Sequence, residues 1–92
     1  MTGSEPAVCQ DKVTAGPGGA MTVEVGFITG DLTLRTSRRT DGLVHVAVQY
    51  PGVEEWYTLT GSPTPVPDGA LQTIHTTVLT AVENGGQAET PA

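Results

Sequence analysis

The sequence predicts an α+β fold: a four-stranded antiparallel β-meander with one C-terminal helix packed on one face, and disordered tails at both ends. Three observations lead to this prediction. Apolar and polar residues alternate in several segments separated by short turns, which is the pattern of half-buried strands. A proline-rich connection follows the last of these strands, and a segment with helical spacing follows the connection.

The segment 43–61 is the best-defined part of the predicted sheet, because it contains two alternating runs around Pro51 and Gly52. In the first run Val44, Val46 and Val48 share one face, and His45, Ala47 and Gln49 share the other. A loop of two or four residues sets Tyr57 and Leu59 beside the valines and points Trp56 and Thr58 the other way. A three-residue loop or a bulge would instead bury Trp56.

Upstream of this hairpin, alternation predicts a first strand at 21–28, a turn at Thr29-Gly30, a second strand at 31–37 and a connection at 38–42. In this register Leu34 faces Val46 and Leu32 faces Val48. The hairpins then agree on one apolar face, made of Val23, Val25, Phe27, Leu32, Leu34, Val44, Val46, Val48, Tyr57 and Leu59. Residues 1–20 lack any period and end in Gly-Pro-Gly-Gly, so they are predicted to be a disordered tail.

Residues 62–67, SPTPVP, are predicted to run as an extended connection away from the sheet edge. Residues 68–83 then form the covering helix, with Asp68 as N-cap and Gly85-Gly86 as the stop. Four β-branched threonines weaken this helix, so a strand is the alternative. Residues 85–92 complete the organisation as a second disordered tail, which leaves 21–84 as a single ββββα domain.

Composition narrows the classes of function. The 92 residues carry a net charge of −6, which works against wrapping a nucleic acid or binding an anionic membrane. Cys9 is the only cysteine, so neither an intrachain disulfide nor a cysteine zinc site is possible, and a cytoplasmic location is expected. No apolar run approaches the roughly 18 residues of a membrane span, and the first twenty residues lack the apolar centre of a signal peptide.

The predicted meander sets Glu24, Arg35 and His45 side by side on the face away from the helix, with Trp56 or Thr58 next in the row. A solvated face with one Glu24–Arg35 pair is one interpretation, and a recognition surface is the other. Arg35, Arg38 and Arg39 also concentrate basic charge at one end of a hairpin. The residues predicted to bind a partner are Arg35, Arg38, Arg39, His45, Ala47 and Trp56.

No arrangement in the sequence predicts catalysis, a cofactor or a metal site. No serine has a GxSxG setting, and Glu54 and Glu55 are adjacent, so they point to opposite faces of a strand. The two histidines are predicted on opposite sides of the sheet, with His45 on the outer face. His75 is predicted at the margin of the core as a structural residue.

Two functions are therefore predicted. The first is a small non-catalytic protein-binding or regulatory accessory domain that acts through the sheet face or a sheet edge, on another protein or as a homodimer. The second is a weak single-stranded nucleic-acid binder that uses the sheet face and the three arginines. In outline, a four-stranded meander followed by one helix resembles the architecture of a family of coactivators whose sheets bind single strands.

Overall fold

The fold consists of four strands followed by one helix, in a computed structural model that describes residues 7–91. Its elements are β1 (Val8–Thr22), β2 (Gly26–Arg38), β3 (Val44–Gln49), β4 (Tyr57–Thr58) and α1 (Leu71–Asn84). The strands form one antiparallel sheet in the order β1-β2-β3-β4, and α1 packs against β1 and β2. The predicted fold class, a four-stranded antiparallel sheet with one C-terminal helix on one face, is confirmed. Within the described residues no helix is long and apolar enough to cross a membrane.

The core lies between the inner face of the sheet and α1. The helix contributes Leu71, His75, Val78 and Val82, and the largest buried apolar side chains of the sheet are Leu32, Leu34, Val44, Val46 and Val48. Burial of each leucine or valine stabilises the fold by about 1.5–3 kcal/mol. The helix prediction is confirmed over the strand alternative. Its N-cap position is Ala70 and not Asp68, and Gly85 ends the helix by donating its N–H to the carbonyls of Ala81 and Val82.

The prediction of a disordered tail at 1–20 is wrong where the structure describes it. Residues 8–15 form the first half of β1 and pair with residues 30–37 of β2. Cys9, Val13 and Ala15 face the core, but the charged Asp11 lies on the same face and bonds to the helix, so the sequence lacks a regular apolar alternation here. Residues 1–6 and 92, which belong to the two predicted tails, lie outside the described residues.

The predicted first strand and its turn at Thr29-Gly30 are also wrong. The chain turns at residues 23–25, and residues 29 and 30 lie inside β2. The register of β1 shifts between Ala15 and Ala20, so the glycine-rich residues 16–19 bulge out of the ladder. The inner face therefore receives Ile28, whereas Val23, Val25 and Phe27, which were predicted in the core, are 65%, 53% and 56% exposed.

The segment after α1 is packed, contrary to the prediction of a tail at 85–92. The N–H groups of Gly86, Gln87 and Ala88 donate to the carbonyls of residues 17, 18 and 19, and Ala88 and Thr90 are buried. The contact is close because both sides are glycine-rich. A Cβ at Gly16 would collide with the carbonyl oxygen of Glu83. The packed unit thus extends beyond the predicted 21–84 at both ends.

The pairing of β2 with β3 differs from the predicted register by two residues. Leu34 lies opposite Val48, and Thr36 opposite Val46. The intervening loop closes through backbone bonds from Gly42 N to the carbonyl of Arg39 and from Arg39 N to that of Leu43. A shift of two residues keeps every side chain on its predicted face, so the error leaves the core unchanged.

The predicted facing of β4 is confirmed. Tyr57 lies opposite Val48 and Thr58 opposite Ala47, and Leu59 is buried. Both Trp56 and Tyr57 are half-buried, so Trp56 is partly exposed as predicted, whereas Tyr57 is less covered than predicted.

The connection at 62–67 was predicted to leave the sheet, but it runs beside β3. Val44 and Thr64 exchange two backbone hydrogen bonds, and Val46 N donates to Ser62 Oγ. This pairing satisfies edge groups of β3 that the two-residue strand β4 is too short to reach.

Candidate interaction surface on the outer sheet face

The face of the sheet away from α1 carries a cross-strand row, defined here as the outer row, of Gln10, Arg35, Ala47 and Thr58. The register sets Gln10 opposite Arg35, Arg35 opposite Ala47, and Ala47 opposite Thr58, so one residue comes from each strand. Side chains directly opposite each other on one face lie about 4.5–5.5 Å apart at Cβ. The outer row is therefore a continuous strip across all four strands.

Arg35 and Trp56 are stacked on this strip. The Cζ atom of Arg35 lies 4.3 Å from the centroid of the Trp56 ring, and its Nε donates to Gln10 Oε1 at 2.9 Å. A guanidinium stacked on an indole gains about 0.5–1 kcal/mol at an exposed site. The two contacts hold both large side chains in one arrangement above the small Ala47, and Arg35 itself is exposed.

Glu24 is not the neighbour of Arg35 that the sequence predicted. Its carboxylate accepts hydrogen bonds from Thr58 N and Thr58 Oγ1, both at 2.7 Å. Slight burial raises the pKa of Glu24, but the hydrogen bonds from Thr58 outweigh this effect and hold the pKa below its usual range. Glu24 therefore attaches the tip of the β1–β2 hairpin to β4 and leaves the stacked pair without a carboxylate partner from that position.

His45 lies on the same face, opposite Ser37 and two residues along β3 from Ala47. Its Nε2 is 3.0 Å from Asp41 Oδ2. The backbone N–H of Leu43 and the contact with His45 both lower the pKa of Asp41. His45 thus borders the outer row as predicted, with a carboxylate beside it.

The predicted arginine cluster is not brought together. Arg38 donates from its guanidinium to the carbonyls of Gly42, Val66 and Pro67, at 3.2, 2.9 and 3.0 Å. It therefore anchors the proline-rich connection to the sheet. Arg39 is exposed in the loop between β2 and β3, and only Arg35 belongs to the outer row.

The exposed apolar tip of the β1–β2 hairpin is a feature that the sequence reasoning missed. Thr22 Oγ1 donates to the Gly26 carbonyl at 2.6 Å and accepts from Val25 N at 3.2 Å, which fixes the turn. The side chains of Val23, Val25 and Phe27 project from it. The spacing of Thr22 and Gly26 was the available signal, since a threonine that bonds to nearby backbone groups favours a turn.

A second polar group lies inside the molecule, between α1 and the sheet. His75 is fully buried, with Nδ1 2.8 Å from Thr36 Oγ1 and Nε2 2.8 Å from Asp11 Oδ2. Hydroxyl, imidazole and carboxylate follow the order found in hydrolases, but the Thr36 side chain is itself fully buried and no substrate can reach it. Both ring nitrogens have partners, which agrees with the structural role predicted for His75.

Among residues 7–91 no group of three or more His, Cys, Asp or Glu side chains could hold a metal ion. We compared the chain with protein families, with curated proteins and with solved structures, and found no match in any of the three comparisons.

Proposed function

We propose that this protein is a small non-catalytic domain that binds another protein through the outer row and Trp56. The observation that carries the proposal is the stacking of Arg35 on Trp56, with Gln10 bonded to the other side of the guanidinium. Tryptophan and arginine are among the residues most enriched at the energetic centres of protein interfaces. Here they stand together on an exposed sheet face.

Preorganisation supports this role. Immobilising a flexible side chain at an interface costs about 0.5–1.5 kcal/mol, and Arg35 is already held by two partners. The outer face also carries Lys12, so two of the basic side chains of this acidic chain lie on it. We propose that the partner presents an acidic residue to Arg35 and an apolar or planar group to Trp56.

The apolar hairpin tip extends this surface. Glu24 bonds to Thr58, which belongs to the outer row and lies two residues after Trp56 in the chain, so the tip is attached close to the stacked pair. A rigid tip with Phe27 exposed offers a second apolar contact to the same partner.

The test uses two-dimensional amide spectra of the labelled protein, alone and with lysate proteins of the source cell. We expect perturbations centred on Ala47, Trp56 and Thr58, and we expect Trp56→Ala and Arg35→Ala to abolish them. Val53→Ala is the matched control, because Val53 is exposed in the same β3–β4 loop region but lies outside the outer row. Equal perturbation of wild type and the two variants would rule out this surface.

The stacked pair also favours the second candidate, binding of single-stranded nucleic acid, since bases stack on exposed aromatic rings. Arg38 is occupied by backbone carbonyls, which leaves fewer cations for phosphates than the sequence suggested. A titration with short single-stranded DNA at rising salt tests it: shifts at Trp56 that appear at low salt and vanish as the salt concentration rises would support this candidate, and absence of shifts at low salt would rule it out. A cytoplasmic location and the homodimer remain predictions.

A further inference from the structure

We infer that the free edge of β1 between Val8 and Ala15 binds an extended segment of another protein, which adds to the sheet as a fifth strand. The inference deepens the proposed function and rests on it, because it assigns a binding mode to the same interaction domain. It uses backbone groups of β1 and not the stacked side chains of the outer row.

The phase of the β1–β2 ladder shows which backbone groups are free to bind. Arg38 N donates to the carbonyl of Ala7, and the register sets these two residues opposite each other. In an antiparallel ladder such pairs alternate, so the odd residues of this half of β1 bond to β2. The N–H and C=O groups that point away from the sheet belong to Val8, Gln10, Lys12 and Thr14.

Within residues 7–91 no other segment pairs with this edge, because β1 is the terminal strand of the sheet. This row of backbone donors and acceptors has the spacing of another extended polypeptide chain. Residues 8–15 are already ordered in the folded protein, because they pair with β2 on one side and because His75 of α1 bonds to Asp11. An incoming strand therefore meets a preformed template.

The side chains along the edge indicate the chemistry of the incoming strand. On the outer face Val8 is 49% exposed, and Lys12 lies diagonally across from Arg35, whose direct partner is Gln10. A strand added here would pair with β1 and place its alternate side chains beside the outer-face residues Gln10, Lys12 and Thr14, whereas Arg35 lies one strand further into the sheet. Acidic residues at those alternate positions, with uncharged residues between them, complement the charge of Lys12.

A second copy of this chain is a poorer occupant. The two-fold antiparallel pairing that uses the whole stretch from Val8 to Thr14 sets Asp11 opposite its own symmetry mate. Like charges directly opposite each other destabilise a sheet. The edge therefore favours a different polypeptide.

The experiment titrates the full-length labelled protein with a short blocked peptide in which glutamate and valine alternate. The control peptides carry lysine in place of glutamate, or a central proline. We expect amide shifts confined to residues 7–15 with the glutamate peptide, weaker binding of the lysine peptide and none of the proline peptide.

Two variants at one position isolate the backbone contribution. Lys12→Pro removes an outward N–H without touching the bonds to β2, whereas Lys12→Thr removes only the charge and keeps the N–H. We expect Lys12→Pro to bind the peptide about tenfold more weakly than Lys12→Thr, the effect of one lost hydrogen bond and its geometry. Unchanged spectra outside residues 7–15 establish that both variants fold.

Each outcome supports or overturns the inference. Absence of shifts with the glutamate peptide, or equal affinities for the two Lys12 variants, overturns it. Shifts confined to Ala47 and Trp56 overturn the edge site and leave the proposed function standing. In a further outcome, Trp56→Ala leaves both the binding of the peptide at the edge and the binding of lysate proteins unchanged. This outcome supports the edge site and rejects the outer row. A dimer in sedimentation that Lys12→Pro dissociates would make the occupant a second copy and overturn the choice of partner.

Discussion

The two halves of β1 belong to one strand but are held in different ways. Residues 8–15, the edge half, have β2 on one side and, among the residues that the structure describes, no strand on the other. Residues 20–22, the paired half, have neighbours on both sides: Met21 N donates to the Ala88 carbonyl at 2.8 Å, and the Met21 carbonyl accepts from Thr60 N at 3.0 Å. The bulge at residues 16–19 separates the halves.

The glycine-rich bulge allows the two halves of β1 to have different neighbours. The edge half depends on side-chain contacts with α1, through His75–Asp11 and a 3.5 Å contact from Cys9 Sγ to Gln72 Oε1. The paired half depends on backbone bonds to the C-terminal segment and to residues 58–60. A change of neighbours within one strand needs backbone conformations and close approaches that only glycine allows.

The largest effect is expected at the bulge, from Gly19→Ala. Gly19 has φ +68°, and an added Cβ would collide with the carbonyl oxygen of Ile28. We expect the free energy of unfolding to fall by about 3–4 kcal/mol, because the cost of a left-handed conformation for alanine adds to the cost of overpacking. Urea denaturation measures it. The matched control is Gly30→Ala, with φ +88° and no atom within 4 Å of the added Cβ, where a loss of only about 1–2 kcal/mol is expected. Equal losses would show that the bulge is not tightly packed.

A smaller effect is expected from His75→Ala, which removes the polar link between α1 and the edge half. It leaves a cavity and an unpartnered Thr36 hydroxyl in the core, so the free energy of unfolding should fall by about 3 kcal/mol. The exposed neighbour Thr76→Ala should change it by less than about 0.5 kcal/mol. Amide exchange should accelerate more in residues 8–15 than in residues 20–22. Uniform acceleration in both halves would contradict the dependence of the edge half alone on contacts with α1.

The smallest effect concerns Glu24, which follows the paired half and attaches the tip of the β1–β2 hairpin to β4. Because its folded-state pKa is lowered, its contribution is present above its unfolded-state pKa and is lost as the pH falls through the folded-state value. Thr58→Val removes one of its donors and should raise the pKa of Glu24 toward the usual range. The carboxyl carbon shift of Glu24, followed by pH titration, measures it. Thr33→Val on β2 is the control and should leave the titration unchanged, and an unaltered midpoint in Thr58→Val would argue against the Thr58 contact.

The sequence predicted the parts of the fold in which alternation is regular and apolar. The facing of β3 and β4 and the helix followed from parity and helical spacing, because each misplaced residue would have exposed a valine or leucine. β1 could not be predicted in this way. Asp11 interrupts its inward-facing set, and Gly16 to Gly19 have the composition of a disordered segment, although here they receive the end of α1 and the C-terminal segment.

Part of the candidate surface was also predictable. Arg35, Ala47 and Trp56 meet on the outer face, because parity alone assigns each of them to it. The sequence does not predict Gln10 in this surface, because residues 1–20 lack the regular alternation of a strand. The roles of Arg38 and Glu24 depend on contacts with Val66 and Thr58, which are distant in sequence, and no local pattern carries such information.

Amide hydrogen exchange along β1 tests the central claim, which is that the edge half is an ordered strand with one side that no strand within residues 7–91 covers. We predict alternation: slow exchange at Cys9, Asp11 and Val13, whose N–H groups bond to β2, and fast exchange at Gln10 and Lys12, whose N–H groups point away from β2. The N–H group of Met21 also points away from β2, but it donates to the Ala88 carbonyl, so its exchange should be slow. Uniformly fast exchange across residues 8–15 would show a disordered segment, and protection of Gln10 and Lys12 would show that the edge is already occupied.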